Sequence, residues 1–252
     1  MTFTEITLAG CCSEGGGARG LVQAGHYVVG VDTDASCRDG FLRAVGDAGK
    51  FVHADILDVL ADSSFMNRFT FADLGPPCQR DSSMTRCRPG LAARYPDLIP
   101  PIQPLADALG IPFVIENPDN PATWRKMRDP VTMCMFMFGR NTYRHRLIEA
   151  GGGLALTQPQ PPGWMMGTLV PGTRIDSRCG WPHPVATARA GHWEPGKFVS
   201  VAGHERKAPV YSVMEISWMS SRDRVKEAIP PYLGFWVAQQ LAAWRAGQEN
   251  AV

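Results

Sequence analysis

The chain has 252 residues, is 44% hydrophobic and carries a formal net charge of +1, enough for one full-sized core and a small second lobe. No apolar run approaches the roughly 20 residues of a membrane span, and MTFTEITLAG lacks the basic start and long apolar stretch of a secretory signal. Seven cysteines, none in a C-x-x-C pair, argue against a disulfide framework or a structural zinc site and for a reducing, cytoplasmic setting.

In chain order, apolar runs at Ile6–Ala9, Tyr27–Val31, Phe51–His53, Phe69–Leu74 and Pro112–Ile115 predict strands. Amphipathic segments at Ala18–Ala24, Ser36–Val45, Ile56–Leu60 and Ile99–Leu109 predict helices between them. This alternation predicts an α/β fold with a doubly wound, mostly parallel sheet over residues 1–150. From Gly151 to about Ser217 the period disappears and Gly and Pro accumulate, which reads as a small irregular region. The segment 218–252 ends in a helix opened by Pro230 and Pro231 and running to about Ala246, its apolar stripe turned to the core.

Charge is uneven along this plan. Residues 1–75 hold 5 Lys/Arg against 10 Asp/Glu, whereas 140–207 hold 9 against 4. Arg80, Arg86, Arg88 and Arg94 crowd the stretch 80–94 against Asp81 alone. A polyanion would meet these basic parts, although solvated faces also produce such fluctuations.

Ligands of doubly wound sheets sit on the loops at the carboxyl ends of the strands. The first such loop, LAGCCSEGGGARG, contains Gly15, Gly16 and Gly17, which suit close approach of backbone to a ligand at a helix N-terminus. Asp32 closes the second strand, where a carboxylate usually receives ribose hydroxyls. Asp55 closes the third, where the competing role is an N-cap for the helix beginning at Ile56. Three such loop ends in sequence point to an adenosine-bearing ligand.

The fourth loop reads Gly75-Pro76-Pro77-Cys78-Gln79. Proline stiffens its path, so one side chain is aimed, and a thiolate is a strong nucleophile. Arg80 and its neighbours favour the thiolate. Cys11, Cys12, Cys37, Cys134 and Cys179 read as ordinary buried thiols. After the fifth strand, Glu116 of FVIENPDN is placed to act as a half-buried proton donor, or else to cap a turn. In YRHRLIEA, Arg144 and Arg146 alternate and share one face of a short strand.

Taken together, the glycine-rich loop, two strand-end aspartates, P-P-C-Q, E-N-P and R-H-R resemble the C5-cytosine DNA methyltransferase family, in the family's order. YPDLIPP, RDPVTMCMFMFG and WMSSRDRVKEAIPPY extend the resemblance to short methyltransferase-like proteins of actinobacterial phages. It implies a Rossmann-like fold that uses S-adenosylmethionine, methylates a flipped base of double-stranded DNA and works in an infected bacterial cell. It implies that Cys78 is the nucleophile and that Glu116 assists at ring nitrogen 3. Arg146 would hold the base carbonyl with support from Arg144, and Asn117 would order the Cys78 loop. Cofactor contacts would fall on Cys11, Ser13, Glu14, Gly15, Gly16, Asp32, Asp55 and Pro76. DNA contacts would fall on Gln79, Arg80, Arg86 and Arg88, with target recognition in the 151–217 region. No metal is implied, and a monomer is expected.

The first loop departs from the family pattern. Cys11 stands where the family stacks an aromatic on adenine, Ser13 replaces a glycine, and Glu14 adds a charge that would greet the cofactor's ammonium group. Thr142 stands where a glutamine is common. Two alternatives stay open: an RNA cytosine-5 methyltransferase, and a non-catalytic DNA- or cofactor-binding protein that kept the fold.

Overall fold

The five apolar runs supply five strands of a seven-stranded sheet with helices on both faces, and the YRHRLIEA segment and residues 131–134 supply the other two. The computed structural model describes residues 2–82, 85, 88, 90–142, 144–163, 174–177, 179–183, 199, 201 and 207–249. In chain order the elements are β1 (Glu5–Gly10), α1 (Gly16–Gln23), β2 (His26–Asp32), α2 (Arg38–Val45), β3 (Gly49–His53), α3 (Ile56–Ala61), α4 (Ser63–Met66) and β4 (Phe71–Leu74). They continue with α5 (Ile99–Ala108), β5 (Phe113–Pro118), α6 (Pro121–Trp124), β6 (Val131–Cys134), β7 (His145–Gly151), β8 (Arg174–Ile175) and β9 (Pro182–His183). Three helices follow: α7 (Lys207–Met214), α8 (Arg222–Glu227) and α9 (Pro231–Glu249).

The strand order is β3-β2-β1-β4-β5-β7-β6, with β8 and β9 in a separate two-stranded sheet. Strands β1 to β5 are parallel, and β7 runs antiparallel to both β5 and β6. This is a doubly wound, mostly parallel Rossmann-like sheet. The strand order reverses between β1 and β4, which opens a crevice at their carboxyl ends.

Both faces of the sheet are covered, as a parallel sheet requires. One core packs Leu21, Phe41, Leu233, Trp236 and Leu241 beneath α1, α2 and α9. The other packs Val29, Ile56, Leu60, Ile102, Phe113 and Ile115 beneath α3 and α5. Burying each such side chain contributes roughly 1.5–3 kcal/mol. A smaller third core gathers Val210, Met214, Ile216, Met219 and Val225.

Helices α1 and α9 meet backbone to backbone. A Cβ on Gly20 would lie 1.9 Å from the Pro231 carbonyl oxygen, and one on Gly234 would lie 2.2 Å from that of Gly17. The glycines of GGGARG therefore serve helix packing as well as the loop. Gly16 is closed off in the same way, with the Ile229 carbonyl oxygen 2.1 Å from where its Cβ would be. Gly16 and Gly17 therefore combine close packing against the chain before and within α9 with a place in the lining of the cavity described below.

Other boundaries also shift. Strand β7 begins at His145, so Arg144 precedes it rather than sharing its face with Arg146. Helix α9 extends to Glu249, and α7 lies in a stretch where the sequence shows no period. About half of the expected recognition region, including 164–173 and 184–198, lies outside the described residues. Among the described residues no helix is long and apolar enough to cross a membrane.

Candidate active site

The carboxyl ends of β1 to β5 open into one cavity of about 400 Å³, within the usual range for small-molecule sites. Its floor comes from Gly10 and Cys11 after β1, Asp32 after β2, Asp55 after β3, and Asp73 and the Gly75–Gln79 loop of β4. Glu116 of β5 and Arg146 of β7 close one side. The other side is Met219, Arg224, Glu227 and Ile229, brought back from the segment before α9. Of the residues expected to act together, Cys78, Glu116, Arg146, Asp32, Asp55, Cys11, Ser13, Gly16, Pro76 and Gln79 all line it.

Six carboxylates line the cavity (Asp32, Asp34, Asp55, Asp73, Glu116 and Glu227) against two guanidinium groups, Arg146 and Arg224. Both cations are engaged by acids. Arg146 Nε is in ion-pair contact with Glu116 Oε1, and Arg224 pairs with Asp34 at 2.8 Å. Such a lining repels phosphates and suits a ligand with hydroxyl groups and positive charge.

The first loop is held by Asp32, whose Oδ2 accepts from Ser13 N at 2.8 Å and whose Oδ1 accepts from Asp34 N at 2.9 Å. Cys11 and Ser13 both adopt left-handed backbone, φ 54° and 47°, a region that favours glycine. Burial beside Asp32 and Asp55 pushes the Cys11 thiol up to about 12, so it stays neutral. Asp55 fills the N-cap role, accepting from Leu57 N at 2.8 Å, while still facing the cavity.

Glu14 does not face the cavity, which overturns its expected contact with a cofactor ammonium group. Its carboxylate is buried and accepts from Ser220 N at 2.7 Å and from the Ser220 hydroxyl, with Arg224 at 3.5 Å. Its carbonyl accepts from Trp218 Nε1 at 2.9 Å. Glu14 therefore fastens the first loop to the segment that forms the cavity's far wall. Gly15 likewise lies away from the cavity, against Ala44 and Phe41.

The Cys78 loop is anchored from β5. Asn117 Nδ2 donates to the Pro76 carbonyl at 2.8 Å, and both groups are buried. Gln79 Nε2 donates to Glu227 at 3.0 Å, while its buried Oε1 has no hydrogen-bond partner among the described residues. Burial pushes the Cys78 thiol up to about 11; Arg146 opposes this, and Glu116 and Glu227 add to it. Arg80 is not the cation that acts on this thiol. It turns back to the Tyr95 carbonyl at 3.4 Å and to Asp97 at 3.8 Å. Arg88 is exposed, and Arg86 lies outside the described residues. Arg144 is half-buried, and it does not line the cavity.

Glu116 is buried, and desolvation raises its pKa despite Arg146. Its proton is thus retained more readily than on an exposed carboxyl. Asp73 escapes a reading of the sequence, because it sits inside the four-residue strand Phe71–Leu74. Burial, with help from Glu116, pushes its carboxyl up to about 7. Arg224, Glu227 and Ile229 were also missed, since nothing local ties them to loops near residues 11–79.

Comparison with protein-family models and with curated proteins finds no match. Among solved structures, one similar chain is a protein assigned as a DNA modification methyltransferase encoded within an E. coli prophage. It shows 19% identity and a TM-score of 0.45 over 62% of this chain and 51% of that one. Another is the Dnmt2 methyltransferase of S. pombe, at 15% identity and a TM-score of 0.41 over 58% of this chain and 48% of that one. A hypothetical protein of Thermus thermophilus matches at 17% identity and a TM-score of 0.35, over 57% of this chain and 72% of that one. The chain thus spans about half the length of the two methyltransferases.

Proposed function

We propose that the protein transfers a methyl group from S-adenosylmethionine to carbon 5 of a cytosine flipped out of double-stranded DNA. One observation carries this reading: Cys78, Glu116 and Arg146 line the same acid-rich cavity as the strand-end carboxylates Asp32 and Asp55. A nucleophile, a proton donor and a carbonyl-binding cation thus adjoin a site suited to a cationic nucleoside.

The cofactor fits the residues present. Asp32 and Asp55 offer acceptors for hydroxyl and amino groups, the acidic lining favours a sulfonium, and the cavity volume is of the right order. Its chemistry is an electrophilic methyl group on a positively charged sulfur. Every other step belongs to the chain and the base. Carbon 5 of cytosine is a poor nucleophile, so the Cys78 thiolate adds to carbon 6 while Glu116 gives a proton or hydrogen bond to ring nitrogen 3. Arg146 holds the base's carbonyl oxygen. The resulting enamine has a nucleophilic carbon 5, which accepts the methyl group. Transfer of the carbon-5 proton to solvent water, return of the ring-nitrogen proton to Glu116 and departure of the Cys78 thiolate restore the aromatic ring.

With its pKa raised by burial, Cys78 of the free protein is held as a thiol, which gives up its proton to solvent before it adds to the base. A base carbonyl competing for Arg146 would draw that cation towards the reacting centre. Because the target atom is inaccessible in a duplex, the base must be extruded. Arg80, Arg86 and Arg88 belong to the basic stretch proposed to contact the DNA backbone.

The test is nucleoside mass spectrometry after incubation with S-adenosylmethionine and unmethylated genomic DNA. Formation of 5-methyl-deoxycytidine, abolished by Cys78→Ala, supports the proposal. A folded protein that modifies only RNA, or nothing, overturns it.

A further inference from the structure

Residues far apart in sequence meet at the free edge of the sheet. Cys134 ends β6 and His145 opens β7, and they are direct cross-strand partners. Antiparallel partners project to the same face of the sheet. Cys179 reaches them from the turn between β8 and β9. All three are buried, and their ligating atoms lie within 4.8 Å of one another.

We propose that Cys134, His145 and Cys179 bind a structural zinc ion. A tetrahedral zinc with bonds of about 2.0–2.3 Å spaces its ligand atoms by roughly 3.3–3.8 Å, which this cluster reaches with small adjustments. The β8–β9 turn is shaped for such a role. Gly180 takes a left-handed φ of 74°, its N–H donates to the Asp176 carbonyl at 2.8 Å, and Asp176 N donates to the Trp181 carbonyl at 2.9 Å. This tight turn presents the Cys179 thiol.

A second, independent observation is the size of the hairpin. Strands of two residues each cannot hold themselves in water, and small units of this kind need a staple. Binding releases one proton from each thiol and leaves two metal-bound thiolates. The ion would tie the 151–217 region to β7, beside Arg146. The inference does not depend on the proposed methyl transfer.

The experiment uses the full chain, purified without a metal-binding tag from zinc-supplemented culture. Metal analysis should find about one zinc per chain. The Cys134→Ser and Cys179→Ser variants should fall to background, while Cys78→Ser keeps its zinc. Because either thiol variant could fold poorly, wild-type protein is also exchanged with Co²⁺. A thiolate-to-cobalt charge-transfer band with tetrahedral visible bands supports the site. No zinc and no such band in the wild type, zinc retained by both thiol variants, or a Cys134–Cys179 disulfide in a non-reducing peptide map overturns it.

Discussion

Asn117 donates to the carbonyl of Pro76 at 2.8 Å, so the strand that carries Glu116 also fixes the loop that carries Cys78. The two proposed reacting groups therefore share one mechanical support. Truncating Asn117 leaves a buried carbonyl without its donor, at a cost of about 1–3 kcal/mol. Asn117→Ala should lower kcat about 10- to 100-fold with a smaller change in KM. Asn117→Asp should behave similarly, because a carboxylate cannot donate. Steady-state methylation kinetics and thermal unfolding of both variants check this.

Cys78 should alkylate slowly at neutral pH. With its pKa near 11, roughly one thiol in a thousand is ionised at pH 8. Below that pKa the thiol is protonated, so the iodoacetamide rate should rise about tenfold per pH unit. Glu116→Gln removes a neighbour that raises the pKa, and should speed alkylation. Arg146→Gln removes the group that lowers it, and should slow alkylation. Peptide mapping of the alkylated Cys78 against pH decides the signs.

Asp73 should leave a pH signature on stability. Its folded-state pKa of about 7 lies above the ordinary 3.8, so the native state keeps a proton that the unfolded state gives up. Stability associated with Asp73 is fully present below about pH 4 and is lost as pH rises to about 7. Asp73→Asn should match wild type at low pH and exceed it at pH 8 by about 2–4 kcal/mol. Denaturant unfolding of both proteins at several pH values checks the difference, in which titrating groups that do not face Asp73 cancel.

Two substitutions near the first loop should act with opposite sign. Gly20→Ala places a Cβ 1.9 Å from the Pro231 carbonyl oxygen and should destabilise by about 1–3 kcal/mol through the α1–α9 contact. Ser13→Gly relieves a φ of 47° and should stabilise by up to about 1 kcal/mol, because Ser13 contributes its backbone N–H to Asp32 and the variant keeps it. Thermal unfolding of the two variants is the measurement.

The strand ends were legible because parallel strands impose a simple rule on where ligands lie. Cys78 announced itself through flanking prolines, and Glu116 through its place after four apolar residues. What the sequence hid was non-local. Arg224 meets Asp34 across 190 residues, and no local pattern signals such a pair. Asp73 was masked by its apolar strand, where a carboxylate reads as noise. The glycines of the first loop were visible, but their use was not, since helix packing and ligand approach call for the same residue. Cys134, His145 and Cys179 follow no ligand spacing because strand pairing, rather than a short motif, brings them together.

The cavity is assembled out of chain order. Its floor is encoded before residue 120, but Met219, Arg224, Glu227 and Ile229 form its far wall, and α9 covers the glycine face of α1. On the ribosome, the five parallel strands emerge with that face bare and the pocket open on one side. Such a nascent chain has no finished pocket for a ligand to use as a template. The pocket is thus complete only once the segment that ends at Ile229 has been made, and the glycine face of α1 is covered only after α9 follows.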